Sequence, residues 1–227
     1  MKTVDFTGNT VFSDGKLRKQ MKKIKPAGFW NLSWLSGKTT YTKEKWEDPV
    51  EGDRAKVENF YLNHGYVTAQ IGEPKITYSE SKPGKKPKRS MHIEIPVTEG
   101  DQYRVGELKF EGLTVFKEEP IRGLFKLKPG DVYKESGIRK GYDKLRDAYG
   151  SLGYFQWTVL TDRKPDPEKK TVDVTVRMDE DKQYFISKIR FTGNDTTRDK
   201  VIRREVYMNE GDVFNTEAHK LSIRRIN

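Results

Sequence analysis

Lys182-Gln183-Tyr184-Phe185-Ile186-Ser187-Lys188-Ile189-Arg190-Phe191-Thr192-Gly193-Asn194 decides the fold, because the chain has used this pattern before. At a fixed offset of 81 residues, Asp101-Gln102-Tyr103 precedes Phe110-Glu111-Gly112-Leu113 in the same way. Gly130-Asp131-Val132-Tyr133 then follows as Gly211-Asp212-Val213-Phe214 follows the later copy. An earlier copy opens on Phe6-Thr7-Gly8-Asn9, and Gly65-Tyr66 answers Gly153-Tyr154. Several anchors in one order at one spacing define an internal repeat, and such a repeat organises the whole reading. The expected copies are residues 1–103, with an aromatic insertion at 29–53, then 104–184, and a shortened third at 185–227.

Within the second copy the periodicities separate cleanly. Val105–Phe110 predicts a strand ended by Gly112, and Glu118–Leu127 a helix closed by Pro129-Gly130. Ile138, Tyr142, Leu145, Tyr149 and Leu152 recur at helical spacing, which predicts one buried face of a second helix. Gly153 stands where a helix end wants positive φ. Phe155–Thr161 predicts a strand, Asp166-Pro167 a turn, and the alternation of Val172, Val174, Val176 and Met178 a strand with one buried face. The order is β-α-α-β-β, an α+β module with three strands packed on two helices. The first copy follows it, with Leu17, Met21 and Ile24 on one helix, Val57 and Tyr61 on the next, and Ile93, Ile95 and Val97 in the last strand. The third predicts a strand at Ile186–Phe191 and a helix around Val201–Val206, then stops inside its second helix. It is expected to be incompletely packed, held by the second copy or by another chain.

Composition bounds the function. The 227 residues are 33% hydrophobic and 34% charged, and 44 Lys+Arg against 34 Asp+Glu leave +10. A membrane-spanning helix needs roughly 20 successive apolar residues, and no run approaches that length. Nor does a hydrophobic segment follow the basic N-terminus, so the sequence reads as lacking a signal or transit peptide. If the native protein crosses a membrane, this chain reads as a piece of it. Zero cysteines remove disulfides, thiolate zinc sites and Cys nucleophiles, while leaving the compartment open. Eleven Phe, eleven Tyr and four Trp argue for packed cores despite the charge.

Candidate chemistry is sparse. His64, His92 and His219 stand apart, without carboxylates at metal spacing. Ser36-Gly37-Lys38-Thr39 lacks the first glycine of a phosphate-binding loop, since Leu32 occupies that place. Gly150-Ser151-Leu152-Gly153 matches a Gly-x-x-Gly nucleic-acid clamp, yet Leu152 continues an apolar helix face. Lys82-Pro83-Gly84-Lys85-Lys86-Pro87-Lys88-Arg89 reads as a solvated hairpin loop, with anion binding the alternative. Phe29, Trp30, Trp34, Tyr41 and Trp46 read as a lid over their own core, with an exposed partner surface as the alternative. No catalytic, cofactor or metal residue is assigned, and no enzyme activity is expected.

The β-α-α-β-β unit with its Phe-x-Gly-Asn start, its Gly-Tyr after the second helix and Glu99-Gly100-Asp101-Gln102-Tyr103 at its end resembles the POTRA domain. The array is similar to that of the BamA family, the outer-membrane β-barrel assembly factors of Gram-negative bacteria. Trp30-Asn31, Tyr41 and Asn59-Phe60-Tyr61-Leu62-Asn63-His64-Gly65-Tyr66 liken the first copy to the family's third POTRA, and Arg203-Arg204-Glu205 likens the last to the start of the fifth. Leu113 departs from the usual Asn, and Asp181 from the glycine of the Glu-Gly pair.

The resemblance implies a periplasmic module that receives unfolded outer-membrane β-barrel proteins and docks accessory lipoproteins. No nucleic-acid partner and no cofactor is implied, and membrane contact would run only through a C-terminal barrel. Clients would add as extra strands at exposed sheet edges. Those edges are expected at Val67–Tyr78 and Phe155–Thr161, presenting Val67, Ala69, Ile71, Ile76, Tyr78, Gln156, Thr158 and Leu160. Pro74 fits an edge strand. Arg203 and Glu210 are the candidates for a lipoprotein-facing surface. The competing readings are a POTRA module of another outer-membrane exporter and, from the +10 charge, a basic nucleic-acid binder.

Overall fold

The computed structural model describes residues 3–26, 40–80 and 89–226. Its backbone separates into two compact units. One comprises Met1–Arg104 with Asp131–Glu135 and Pro167–Thr171; the other comprises Val105–Gly130, Ser136–Asp166 and Val172–Asn227.

In the first unit β1 (Thr3–Thr7) leads through α1 (Asp14–Gln20), α2 (Lys43–Glu47) and α3 (Asp53–Leu62) to β2 (Gln70–Ile71), β3 (Lys75–Glu80) and β4 (Arg89–Thr98). The last strand, β4, is central. It pairs in parallel with β1 and antiparallel with β2 and β3. Strand alternation turns Ile93, Ile95 and Val97 inward, where they join Val4, Phe6, Leu17, Val57 and Tyr61. Met21 and Ile24 are buried in this core as well, yet α1 ends at Gln20, before them. The cause is Asp53, whose buried carboxylate accepts the backbone N–H groups of Lys22, Lys23 and Ile24 at 2.7, 3.0 and 2.6 Å. With those donors satisfied outside a helical ladder, the chain turns under α3 instead of continuing as helix. In the insertion, Trp46 on α2 is fully buried and Tyr41 packs on the same core. Phe29, Trp30, Trp34, Ser36-Gly37-Lys38-Thr39 and the Lys-rich loop from Lys82 to Lys88 lie outside the described residues.

The second repeat supplies β5 (Arg104–Glu111), α4 (Glu118–Leu124), α5 (Glu135–Ser151), β6 (Thr158–Asp166) and β7 (Thr171–Asp179), and the third supplies α6 (Asp199–Arg203) and α7 (Thr216–Ile226). The strand order is β5-β7-β6, again with the last strand in the centre. Val172, Val174, Val176 and Met178 of β7 are buried, as are Ile138, Leu145 and Tyr149 of α5. Two sequence expectations shift here. Helix α4 stops at Leu124 because Phe125 turns extended and buries its ring against Phe110 and Tyr142. Leu152, expected on the buried face of α5, lies just past the helix end and is exposed.

The strand expected at Ile186–Phe191 does not form. That segment keeps one antiparallel bridge beside it, Phe185 to Val213, and no ladder. A strand exists only by pairing, and among the described residues there is no third counterpart of β4 or β7. Gly112 and Gly193 record the difference. A Cβ on Gly112 would sit 2.0 Å from the Met178 carbonyl oxygen of the neighbouring strand, whereas nothing lies within 4 Å of the equivalent position on Gly193. Among the described residues, every buried hydrophobic side chain lies at or before Met178.

Candidate binding edges and the latches behind them

In each unit a buried carboxylate just past the central strand ties that strand to the helices. Glu99, directly after β4, is buried, and its oxygens accept from Thr10 N–H at 2.7 Å, Thr10 Oγ1 at 2.7 Å, Val11 N–H at 2.9 Å and the Tyr61 hydroxyl at 2.8 Å. Glu180, directly after β7, repeats the arrangement. It accepts from Thr114 N–H at 2.9 Å and Val115 N–H at 3.1 Å, and from the hydroxyls of Thr114 and Tyr149. Burial alone raises both carboxyl pKa values, but the hydrogen bonds to Thr10, Val11 and Tyr61, and to Thr114, Tyr149 and Val115, outweigh it and hold both below the ordinary range. Burial first, and then these carboxylates, push the phenols of Tyr61 and Tyr149 well above theirs. The effect is to tie the end of each central strand to the loop after the first strand and to the end of the second helix. The outer strand of each sheet is left beyond this latch.

Each sheet has two edges: β1 and β5 form one, and β2 with β3, or β6, the other, where the expected client-binding strands lie, each hydrogen-bonded to a central strand only. The expected Val67–Tyr78 strand is broken into two: Gly72 to Pro74 interrupt it, and Pro74 lies in the gap rather than in a strand. The expected Phe155–Thr161 strand begins three residues later and runs on to Asp166. Of the eight expected edge residues, five lie in these strands: Ile71, Ile76, Tyr78, Thr158 and Leu160. Val67 and Ala69 precede β2, and Ala69 packs on the first core. Ile71 is buried, so only its backbone faces outward. Gln156 precedes β6 and lies 3.0 Å from the Tyr184 hydroxyl, which engages it elsewhere. Leu160 stands out, 73% exposed in mid-strand. Sequence reasoning ended the strand at Thr161 and missed the stretch from Asp162 to Asp166, which runs up to the turn expected at Asp166-Pro167; Pro165 within it suits an edge strand.

Arg203 and Glu210 are brought together. The guanidinium lies 3.8 Å from the Glu210 carboxylate and stacks over the Phe191 ring at 5.4 Å, while Glu210 accepts from Ile189 N–H at 3.0 Å. The pair straps the unpaired Ile186–Phe191 segment onto α6. The histidines serve separate local roles. His64 bonds the Phe60 carbonyl and packs on Phe12, His92 lies between the hydroxyls of Thr3 and Ser79, and His219 packs on Phe214. Among the described residues no three His, Cys, Asp or Glu groups are placed to hold a metal, and no helix is long and apolar enough to cross a membrane.

Fold and edges together define a tandem array of β-α-α-β-β modules whose last strand is central and whose second strand is an open edge. Residues 1–100, 103–181 and 184–227 each match the POTRA family, described as surface antigen variable number repeat, and the chain belongs to that family. It is 31% identical over 225 residues to the outer membrane protein assembly factor BamA of Neisseria meningitidis, covering 98% of this chain and 26% of the relative. The BamA of Buchnera aphidicola is 29% identical, over 96% of this chain and 33% of its own length. The chain thus spans about a quarter to a third of the curated relatives it matches. Among solved structures, Haemophilus influenzae BamA POTRA3-5 aligns over 100% of this chain and 84% of its own, at a TM-score of 0.70 and 23% identity.

Proposed function

We propose that this chain is a periplasmic scaffold segment of an outer-membrane protein assembly factor, organised as three repeats bounded near residues 103 and 184. Unfolded β-barrel clients add to its sheets as extra strands at β3 and β6. The observation that carries the reading is the strand order: a latched central strand beside an outer strand with one free side. The partners follow from the relatives, whose names describe outer-membrane assembly. Accessory lipoproteins would dock at the Arg203–Glu210 strap, where a charged pair and an aromatic ring are accessible together.

Magnitudes favour handover over capture. Four or five added backbone hydrogen bonds contribute roughly 0.5–1.5 kcal/mol each, and association costs at least about 4 kcal/mol. One edge should therefore bind no tighter than a few millimolar, and several edges on one chain raise the local concentration for the next contact. The test is an NMR titration with an extended peptide of alternating apolar residues. Amide shifts should concentrate in Lys75–Glu80 and Thr158–Asp166 and keep growing through several millimolar peptide. Shifts confined to other regions would overturn strand addition at these edges.

A further inference from the structure

A sheet has two edges, and the client-binding reading uses only one of them. In the first unit the other edge is the outer side of β1, which pairs with β4 alone. Alternate residues of a strand turn their N–H and C=O groups to the same side, so the outward row of β1 comes from Val4 and Phe6. Left bare, such a row would take an extended chain as readily as the edge at β3.

It is not bare. Phe6 N–H donates to Asp14 Oδ2 at 3.1 Å, and the Val4 carbonyl accepts from Arg18 Nη1 at 3.0 Å. These are the two inner groups of the row, the donor and the acceptor that an added strand would need together. Both partners stand on α1, one turn apart, and the helix runs back along β1, so the later strand residue meets the earlier helix residue. A rise of about 6 Å over four helical residues matches the spacing of about 6.6 Å between alternate residues of a strand. Leu17, between the two, is fully buried and seats the helix. Each of the two side chains is held in turn. Asn9 Nδ2 donates to Asp14 Oδ1 at 2.8 Å and to the Phe12 carbonyl at 2.8 Å, and Arg18 lies 3.3 Å from Asp5 Oδ1. Burial alone would raise the Asp14 carboxyl pKa, yet the hydrogen bonds from Asn9 and Phe6 and the Arg18 charge hold it below the ordinary range.

The same set recurs where no sheet has formed. Asn194 Nδ2 donates to Asp199 Oδ1 at 2.8 Å and to the Thr197 carbonyl at 2.9 Å, and Arg203 donates to the Ile189 carbonyl at 3.3 Å. The turn and the helix therefore build the arrangement without help from strand pairing. In the second repeat Leu113 replaces the asparagine, and Glu118 pairs with Arg122 along α4, so the assignment concerns the first sheet.

We propose that Asp14 and Arg18, positioned by Asn9 and Asp5, guard the outer edge of β1 in place of a neighbouring strand, so that an extended client adds to the first sheet beside β3 and not beside β1. The choice of edge rests on the strand-addition reading, whereas the guard itself is a property of the free chain.

Hydrogen exchange in the free chain tests the guard directly. The Phe6 amide should be protected, and Asp14→Ala should speed its exchange about tenfold while Ile95 in the central strand is unchanged. A titration with an extended peptide of alternating apolar residues then reads the edge. In the parent chain it should shift the amides of Lys75–Glu80 and leave Val4 and Phe6 in place; in Asp14→Ala/Arg18→Ala it should shift Val4 and Phe6 as well. Shifts at Val4 and Phe6 in the parent, or none there in the double variant while β3 still responds, overturn the guard. A peptide that shifts no edge in either chain sinks strand addition alone, and a Phe6 rate in Asp14→Ala within about twofold of the parent's then sinks the guard too. Should these variants unfold the module, seen as lost protection at Ile95, Asn9→Leu decides, because it installs the residue of the second repeat and keeps both charges. It should speed Phe6 exchange about threefold with Ile95 unchanged, and an unchanged Phe6 rate counts against the proposal.

Discussion

Arg104–Glu111 and the segment 81 residues later, Phe185–Thr192, place apolar residues alike (Val105 and Ile186, Leu108 and Ile189, Phe110 and Phe191), yet only the first is a strand. Both begin with the same backbone pattern. Gly130 N–H donates to the Val105 carbonyl at 2.8 Å, and Gly211 N–H donates to that of Ile186 at 2.7 Å. From there β5 finds β7 and the later segment finds no strand. The local sequence is equally suited to both outcomes, so the difference comes from the partner. The comparison teaches that strand identity in this fold belongs to the sheet, whereas helix identity is carried locally, since α6 and α7 form without a sheet beneath them.

The sharpest way to break that comparison is to cut equivalent side chains. Leu145 of α5 is fully buried, and its counterpart 81 residues on, Ile226 of α7, is 44% exposed. Leu145→Ala should cost about 2–5 kcal/mol in urea denaturation, and Ile226→Ala less than about 1 kcal/mol. Equal losses would mean that the third repeat is packed as well as the second.

The latch gives the next effect. Glu180→Gln should cost about 1–3 kcal/mol, because a carboxylate that accepts from Thr114, Val115 and Tyr149 is replaced by an amide that puts an N–H among donors. The pH dependence follows from the lowered carboxyl pKa values of Glu99 and Glu180. The stabilisation is fully present above the ordinary carboxyl value of 4.5 and is lost as pH falls through the lower folded-state value. Glu180→Gln should remove part of that acid slope. Hydrogen exchange should find the Thr114 and Val115 amides protected and those of Asp195 and Thr196, the same loop one repeat later, fast.

How much of this was legible in sequence follows the same division. The repeat, the face of α5 up to Tyr149 and the inward alternation of β4 and β7 could be read directly, because periodicity and the spacing of Gly anchors are local signals. The edges could be placed to within a few residues. Their exact course could not, since the break at Gly72–Pro74 and the extension of β6 through Pro165 depend on the register against a neighbour. Asp53 ending α1 from 30 residues away, and Asn215 joining two helices, are tertiary contacts between residues that carry no periodic signal. The Gly-x-x-Gly pattern is plain in the sequence, but that Thr216 and Tyr184 meet it is a tertiary fact.

The smallest effect concerns a departure visible in the sequence. After the latch glutamate, the first repeat has Gly100 at φ +68, and the second has Asp181 at φ +52, a left-handed conformation that costs a side-chain-bearing residue. Asp is among the residues that tolerate it, here helped by Asp181 N–H donating to Asp179 Oδ1 at 3.2 Å and by the Tyr184 hydroxyl donating to Asp181 Oδ2 at 2.9 Å. Asp181→Gly removes the conformational penalty and leaves the Tyr184 hydroxyl with Gln156 at 3.0 Å. It should therefore stabilise the second repeat by about 0.5 kcal/mol, the relief at positive φ being partly offset by the greater backbone freedom glycine has when unfolded. The reverse change is not its mirror image, because a Cβ on Gly100 would lie 2.4 Å from Thr68 Oγ1. A loss of stability in Asp181→Gly would show that the tie to Tyr184 outweighs backbone strain, and that the aspartate secures Tyr184 rather than merely tolerating its place.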